Sequence, residues 1–266
     1  MPRSEGRAHS FPAPPPLVTW EDESVNSKPP RPPSPRAYET VLEAIEAELR
    51  SGSLKLGDQL PGERALAETH GLSRASVRDA IRILDVLGVV RTSTGSGPNA
   101  GAVIVSRPAA GLAAALRLHV ATRQLTVAEI VQTRILLETG AAEATKIDPE
   151  NDATRAKLAV AADLLEQMDD PALGRSDFHA LDARFHVLLS SLAGNAVIEA
   201  MMESLRLSIS DYVAESIRSD EDWEPVAGVL RTQHHGILGA VSAGEGQRAS
   251  KLLREHIEWF YAETQG

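Results

Sequence analysis

Two sets of side chains stand at spacings that could do chemistry. The first is Arg74, Arg78 and Arg82 in "LSRASVRDAIRIL", at four-residue intervals. On a helix that spacing aligns three guanidiniums in one stripe, and each planar fork can bond a guanine edge or a phosphate through two hydrogen bonds. The second is Asp182 and His186 in "LDARFHVLLSSLAGN", which share a helix face beside Leu181, Phe185, Leu188 and Leu192 on the core side. A carboxylate and an imidazole facing a core need partners, and a metal ion is one solution while a buried Asp–His hydrogen bond is another. His256, flanked by Leu253, Ile257 and Phe260, can also face inward, and either His234 or His235 of "RTQHHGILGAV" can join it.

The elements around the arginines indicate what they are for. Val77, Ala80, Ile81, Leu84 and Leu87 cover one side of the helix that Ser73 caps. The arginines lie about a third of a circle away from that side. Taken alone, the stripe is equally a solvated face with surface pairs such as Arg82 with Asp85. Upstream, apolar positions 38, 41, 42, 45 and 49 predict a helix, "SGSLKLGDQLPG" a loop with a short extended piece, and residues 63–69 a short helix closed by Gly71. Downstream, "GVVRTST" and "GAVIVS" enclose "GSGPNAG", which predicts a hairpin with a glycine-rich turn able to approach a phosphate closely. Helix, short helix, arginine helix and hairpin, in that order, make a winged helix-turn-helix, whose second motif helix enters the major groove.

Past Pro108 the chain becomes rich in alanine and leucine. Helical periodicity is found at roughly 109–122, 126–147, 151–168, 176–193, 195–218, 224–243 and 245–264. The expected fold is mainly α, with a winged helix-turn-helix at 36–108 followed by an all-α antiparallel bundle of about seven helices at 109–266. Residues 1–35 hold ten of the 16 prolines and are expected to be a disordered tail.

Charge divides the same way. The formal net charge is −10, yet residues 36–108 carry nine basic and nine acidic side chains, whereas residues 109–266 carry 14 basic and 24 acidic. The acidic half would repel a polyanion, so contact with nucleic acid falls to 36–108. The absence of cysteine excludes disulfides, thiolate nucleophiles and cysteine-ligated metals. No run of about 18 apolar residues and no secretory leader is visible, which places the chain in the cytoplasm with no membrane partner.

The segment from Tyr38 to Thr92 strongly resembles the DNA-binding domain of GntR-type transcription regulators, through "G-x-L-x-x-G-D-x-L-P", "E-R-x-L-A", "S-R-x-x-V-R-x-A" and "G-V-V". The resemblance implies DNA contacts from Arg64, Arg74 and Arg78, with Ser73, Ala75 and Ser76 close to bases or phosphates. It also implies a wing contribution from Thr94 to Gly101, including Gly95 and Gly97. Arg82 is expected to meet a phosphate or to pair with Asp85. Gly62 and Ala65 stand where the family has a capping box, and the turn of the wing is longer than the family's.

The second half resembles the ligand-binding domain of the FadR branch, through "R-I-L-L-E", "D-A-R-F-H" with "A-G-N", "H-H-G-I-L-G-A-V" and a final "E-H-I". The resemblance implies a divalent metal held by Asp182, His186, His234 and His256. Zinc heads the candidates, and nickel, manganese and iron accept the same donors. It further implies that Arg134 reaches toward a small carboxylate effector, where its bland role is a salt bridge to Glu138. The function expected is that of an effector-controlled repressor, binding a pseudo-palindromic operator as a homodimer. A sensor in which the ion is itself the signal, and a metallohydrolase, are the alternatives; the latter lacks "H-E-x-x-H". Residues 106–111, "SRPAAG", are the expected hinge.

Overall fold

A computed structural model describes residues 37–93, 101–210 and 220–264. The expected N-terminal tail and the wing positions Thr94, Gly95 and Gly97 lie outside the described residues.

Helices α1 (Ala37–Ser51), α2 (Glu63–His70) and α3 (Arg74–Val86) are followed by strands β1 (Val90–Ser93) and β2 (Gly101–Ile104). Val41 and Ile45 of α1, Leu66 of α2 and the inward side of α3, at Val77, Ala80, Ile81 and Leu84, close one apolar core. α2 starts at Gly62 with no side-chain cap, and Gly71 ends it in the left-handed region at φ 65°. α3 is better started, because Ser73 Oγ accepts the Ser76 amide at 3.1 Å. The strands pair antiparallel with Val90 opposite Ile104 and Ser93 opposite Gly101. The extended piece at Asp58–Leu60 adds to the far edge of β2, where the Leu60 amide donates to the Ala102 carbonyl and the Ile104 amide to the Asp58 carbonyl, each at 2.8 Å.

Seven helices follow among the described residues: α4 (Pro108–Ala121), α5 (Val127–Ala144), α6 (Asp152–Met168), α7 (Arg175–Ser191), α8 (Ala196–Ser208), α9 (Asp220–Ser242) and α10 (Gly246–Glu263). Thr126 and Glu129 form a reciprocal capping box at the start of α5, and Asn151 and Asn195 cap α6 and α8. Leu164, Met168, Phe178, Phe185, Ile237 and Leu253 bring α6, α7, α9 and α10 onto one core. The helix expected over 195–218 leaves helical geometry at Ile209, where φ is −115°. No helix among the described residues is long and apolar enough to cross a membrane.

The segment expected to act as a hinge is fastened instead. The Val105 amide donates to the Val89 carbonyl at 2.8 Å and the Arg107 amide to the Gly88 carbonyl at 3.0 Å, so the chain entering α4 is tied to the end of α3. Two glycines allow this closeness. A Cβ on Gly88, which has φ +74°, would lie 2.1 Å from the Arg107 carbonyl oxygen, and one on Gly111 would lie 2.9 Å from Leu87 Cα. α4 is therefore built as an extension of the reading domain. Gly88→Ala is expected to cost more than about 1 kcal/mol, since the new methyl meets backbone and the φ is unfavourable. A urea midpoint unchanged from the parent would contradict this account of the junction.

Candidate metal centre and DNA-reading face

α3 presents Arg74, Arg78 and Arg82 on its exposed side, with Ser73, Ala75 and Ser76 at its first turn. A residue that sequence reasoning missed organises them. Glu63, on α2, accepts from Arg78 Nε at 2.9 Å and from Arg78 Nη2 at 2.6 Å, and Arg74 Nη2 stands 3.9 Å away. The hydrogen bond from Arg78 holds the Glu63 carboxyl below its usual range. Because the pair occupies the Nε–Nη2 edge of Arg78, the edge formed by its two η nitrogens is left for a ligand. Arg64 is exposed and lies 3.3 Å from Glu68.

The expected pair of Arg82 with Asp85 does not form. Arg82 lies 3.6 Å from Asp79, while Asp85 accepts from Thr92 Oγ1 at 2.8 Å and stands 3.5 Å from Arg107. Asp85 is drawn to the wing strand and the linker, which leaves Arg82 to its neighbour one turn back.

In the helical half, Asp182, His186, His234 and His256 converge, each offering one ligand atom within 4.8 Å of the others. α7 supplies the first two at i, i+4, and α9 and α10 supply one histidine each. His235 turns outward to Asp169 at 2.8 Å, so His234 is the inward member of that pair.

The partners outside the cluster determine which nitrogens point in. Glu138 Oε2 stands 2.5 Å from His186 Nδ1, and Gln233 Oε1 stands 2.8 Å from His256 Nδ1. With both δ nitrogens donating, the two Nε2 atoms face one another at 3.1 Å. Asp182 Oδ1 lies 3.0 Å from His234 Nε2 and 3.4 Å from His186 Nε2. The His234 contact is short but misaligned, and neither ring nitrogen of that buried residue has a hydrogen-bond partner. Converging lone pairs and an orphaned imidazole are what a shared cation resolves, so the donor set fits a metal ion.

Charge points the same way. Burial disfavours charge throughout, yet the carboxylates of Glu138 and Asp182 outweigh it at His186 and raise its pKa, while His234 and His256 are pushed down by burial. Burial likewise pushes Glu138 up, but His186 and Arg134 outweigh it and bring it to about 2. Arg206 does the same for Asp182, which lies well below its ordinary value. Each carboxylate is matched by an arginine, and the two together still favour a positive charge at His186, whether as a proton or as an ion.

A narrow cavity of about 30 Å³ opens beside the cluster, next to a wider cleft of about 720 Å³ that shares Arg134, Asp182 and Arg206 with it. Arg134, Arg206, Asp182 and His256 are polar parts of the narrow cavity's wall, and Val131 and Ile257 are among the apolar ones. Arg134 is buried with its Nε 3.0 Å from Glu138 Oε1, so the salt bridge and the position on the cavity wall coexist. His179 also lines the cavity, and burial lowers its pKa to about 4, leaving it neutral at pH 7. Arg206, on α8, binds Asp182 Oδ2. No sequence spacing reveals this pair, which joins residues 24 apart on different helices.

Comparison with known proteins agrees with this layout. Residues 37–98 match the model of the bacterial regulatory proteins of the gntR family, and residues 129–258 match the FCD domain. The HTH-type transcriptional regulator LutR of Bacillus subtilis is 27% identical over 214 residues, covering 79% of this chain and 92% of that protein. The HTH-type transcriptional repressor NanR of Salmonella newport is 27% identical over 226 residues, with 82% of each chain covered. The Glc operon transcriptional activator of Escherichia coli is 24% identical over 225 residues, covering 82% of this chain and 85% of that one. Among solved structures, a GntR protein of Streptococcus agalactiae has a TM-score of 0.59 at 20% identity, covering 87% of this chain and all of the other. These relatives are transcription regulators, not enzymes.

The second ring of partners has a measurable role. Gln233→Leu removes the acceptor that orients His256 without touching a metal donor. It is expected to weaken zinc binding about 10–100-fold by competition titration. Zinc affinity equal to the parent's would show that Gln233 does not orient the ligand.

Proposed function

The chain belongs to the gntR family of bacterial transcription regulators, in the branch that carries an FCD domain, and from that premise we propose a repressor whose grip on its operator is relaxed by a small organic acid bound at a metal centre. In this reading the protein acts in the cytoplasm as a homodimer on a pseudo-palindromic operator, with one α3 in each half-site. Arg74 and Arg78 read bases, Arg64 and Arg82 meet phosphates, and Ser73, Ala75 and Ser76 bring the start of α3 against the backbone. The wing turn, with Thr94, Gly95 and Gly97, completes the contact.

One observation carries the effector reading. Arg134 faces Glu138 and Arg206 faces Asp182, two buried ion pairs whose charges cancel. A divalent ion on Asp182, His186, His234 and His256 therefore leaves the cavity wall with excess positive charge. A small carboxylate answers that charge, with Arg134 on the wall to receive it. Zinc suits the donors best, and nickel, manganese and iron share the preference for imidazole.

The test begins by recovering bound fragments from a genomic pool. With the operator known, Arg74→Ala is expected to weaken specific binding by about 1–3 kcal/mol while sparing most non-specific binding. Full retention of operator affinity would remove Arg74 from the reading face. Operator binding is then titrated with zinc or chelator, each with and without organic acids. Acids are expected to raise the operator Kd only when zinc is present, by about 5–150-fold. A switch driven by zinc alone would identify the ion as the signal, and tighter binding with acid would overturn the release of the operator by acid.

A further inference from the structure

The two compartments beside the metal centre differ in size and in chemistry. The narrow cavity, at about 30 Å³, has room for about two water-sized groups, which is the scale of a carboxylate end. Next to it lies the cleft of about 720 Å³, and His179 and Phe260 line both. The His179 ring stands 4.8 Å from that of Trp223 and 5.9 Å from that of Phe260, so the neck between the compartments is aromatic. Beyond the neck the cleft follows α7, which supplies Ser176, Ala180, Ala183, Val187 and Ser191 at helical spacing. From Ser176 to Ser191 that stripe is about 22 Å long at the rise of an α-helix. An acid of only a few carbons would leave most of the cleft empty.

The walls show what would fill it. Leu164 of α6, Val187 and Leu188 of α7, Leu207 of α8 and Phe260 of α10 line the cleft, and both α6 and α8 pack on α7. Val160 on α6 and Leu207 on α8 stay 45% and 43% exposed, apolar side chains left uncovered at the rim. Charge is graded along the same surface. Arg134 and Arg206 stand at the inner end, whereas the further charged residues of the wall, Arg184, Glu199 and Glu203, are exposed and net negative. One anionic group is therefore matched at the inner end, and a second would meet Glu199 and Glu203 on α8.

We propose that the effector is a monocarboxylic acid with a bulky apolar body, its carboxylate in the narrow cavity at Arg134 and Arg206 and its body in the cleft along α7. The proposal rests on the effector reading above and adds to it the part of the acid that lies away from the metal centre. Polar anchoring at one end fixes the direction of the ligand, and burial of its body takes Val160 and Leu207 out of water.

Calorimetry on the zinc-loaded full-length protein compares butyrate, phenylbutyrate and citrate. The phenyl group is expected to tighten binding about 10–150-fold over butyrate, with citrate weaker than phenylbutyrate. Two variants test the place. Val160→Gln combined with Leu207→Gln makes the rim polar, and Ala180→Trp, also at an exposed position, fills the cleft. Both are expected to keep parental zinc binding, and butyrate affinity within about twofold of the parent. The gain from the phenyl group is expected to fall at least about fivefold in each. Equal affinities for butyrate and phenylbutyrate overturn the proposal and leave the effector reading standing, as does citrate binding more tightly than phenylbutyrate. A phenyl gain undiminished in both variants overturns it too. If none of the three acids binds, the effector reading and this proposal fall together. A phenyl gain of the same size in zinc-free protein supports the cleft and removes the metal from the reading.

Discussion

Everything in the helical half turns on one constraint: ionised side chains placed in a low-dielectric core must be compensated by neighbours. Arg134, Glu138, Asp182, His186, His234, Arg206 and His256 share one interior, drawn from five helices. Two arginine–carboxylate pairs close on themselves and three imidazoles remain, one of them with neither nitrogen hydrogen-bonded. Replacing such a network with apolar side chains would stabilise the bundle as well or better. The same cluster has the donors to hold a metal ion. The hydrophobic residues around it, Phe178 and Phe185 above all, hold the rings in place and keep water from screening the charge.

The same physics explains what the sequence made legible. Periodicity located the helices because each must bury one face, and that requirement repeats along the chain. Asp182 and His186 could be paired because they lie on one helix at a fixed offset, whereas Glu138 meets His186 across 48 residues and Arg206 meets Asp182 across 24. Such contacts are set by how helices dock, which no local pattern encodes. Glu63 escaped notice for the same reason, since its bond to Arg78 spans 15 residues and two helices. The Arg82–Asp85 expectation failed differently: the spacing was right, but Thr92 and Arg107 competed for the carboxylate. The hinge expectation took composition for freedom, and "SRPAAG" is instead bonded and packed where two glycines let backbones touch.

Electrostatics at the reading face follow a related logic at higher dielectric. Glu63 sits among Arg74, Arg78 and Arg82, all exposed, so its charge weakens the field there without the large penalties of the interior. Its benefit is geometric. An arginine held on one edge presents its other edge in a defined direction, and less side-chain freedom is lost when a base edge or phosphate is bound. The domain is neutral overall while the helical half carries the whole net charge of −10. The negative charge that would repel DNA therefore lies outside the domain that carries α3.

Among the described residues, α4 joins these two electrostatic regimes. In the proposed dimer a half-site spacing is a distance, so two α3 helices would meet it best from a fixed platform. The junction of Gly88 with Arg107 and of Gly111 with Leu87 supplies that fixity at the start of α4, and the seam with α8 runs on from Ala109 to Val120. With its start fastened to the end of α3 and its length packed on α8, α4 joins the two domains without a free tether among the described residues. α8 also carries the arginine bound to Asp182, so the helix packed on α4 forms one wall of the buried ionic cluster.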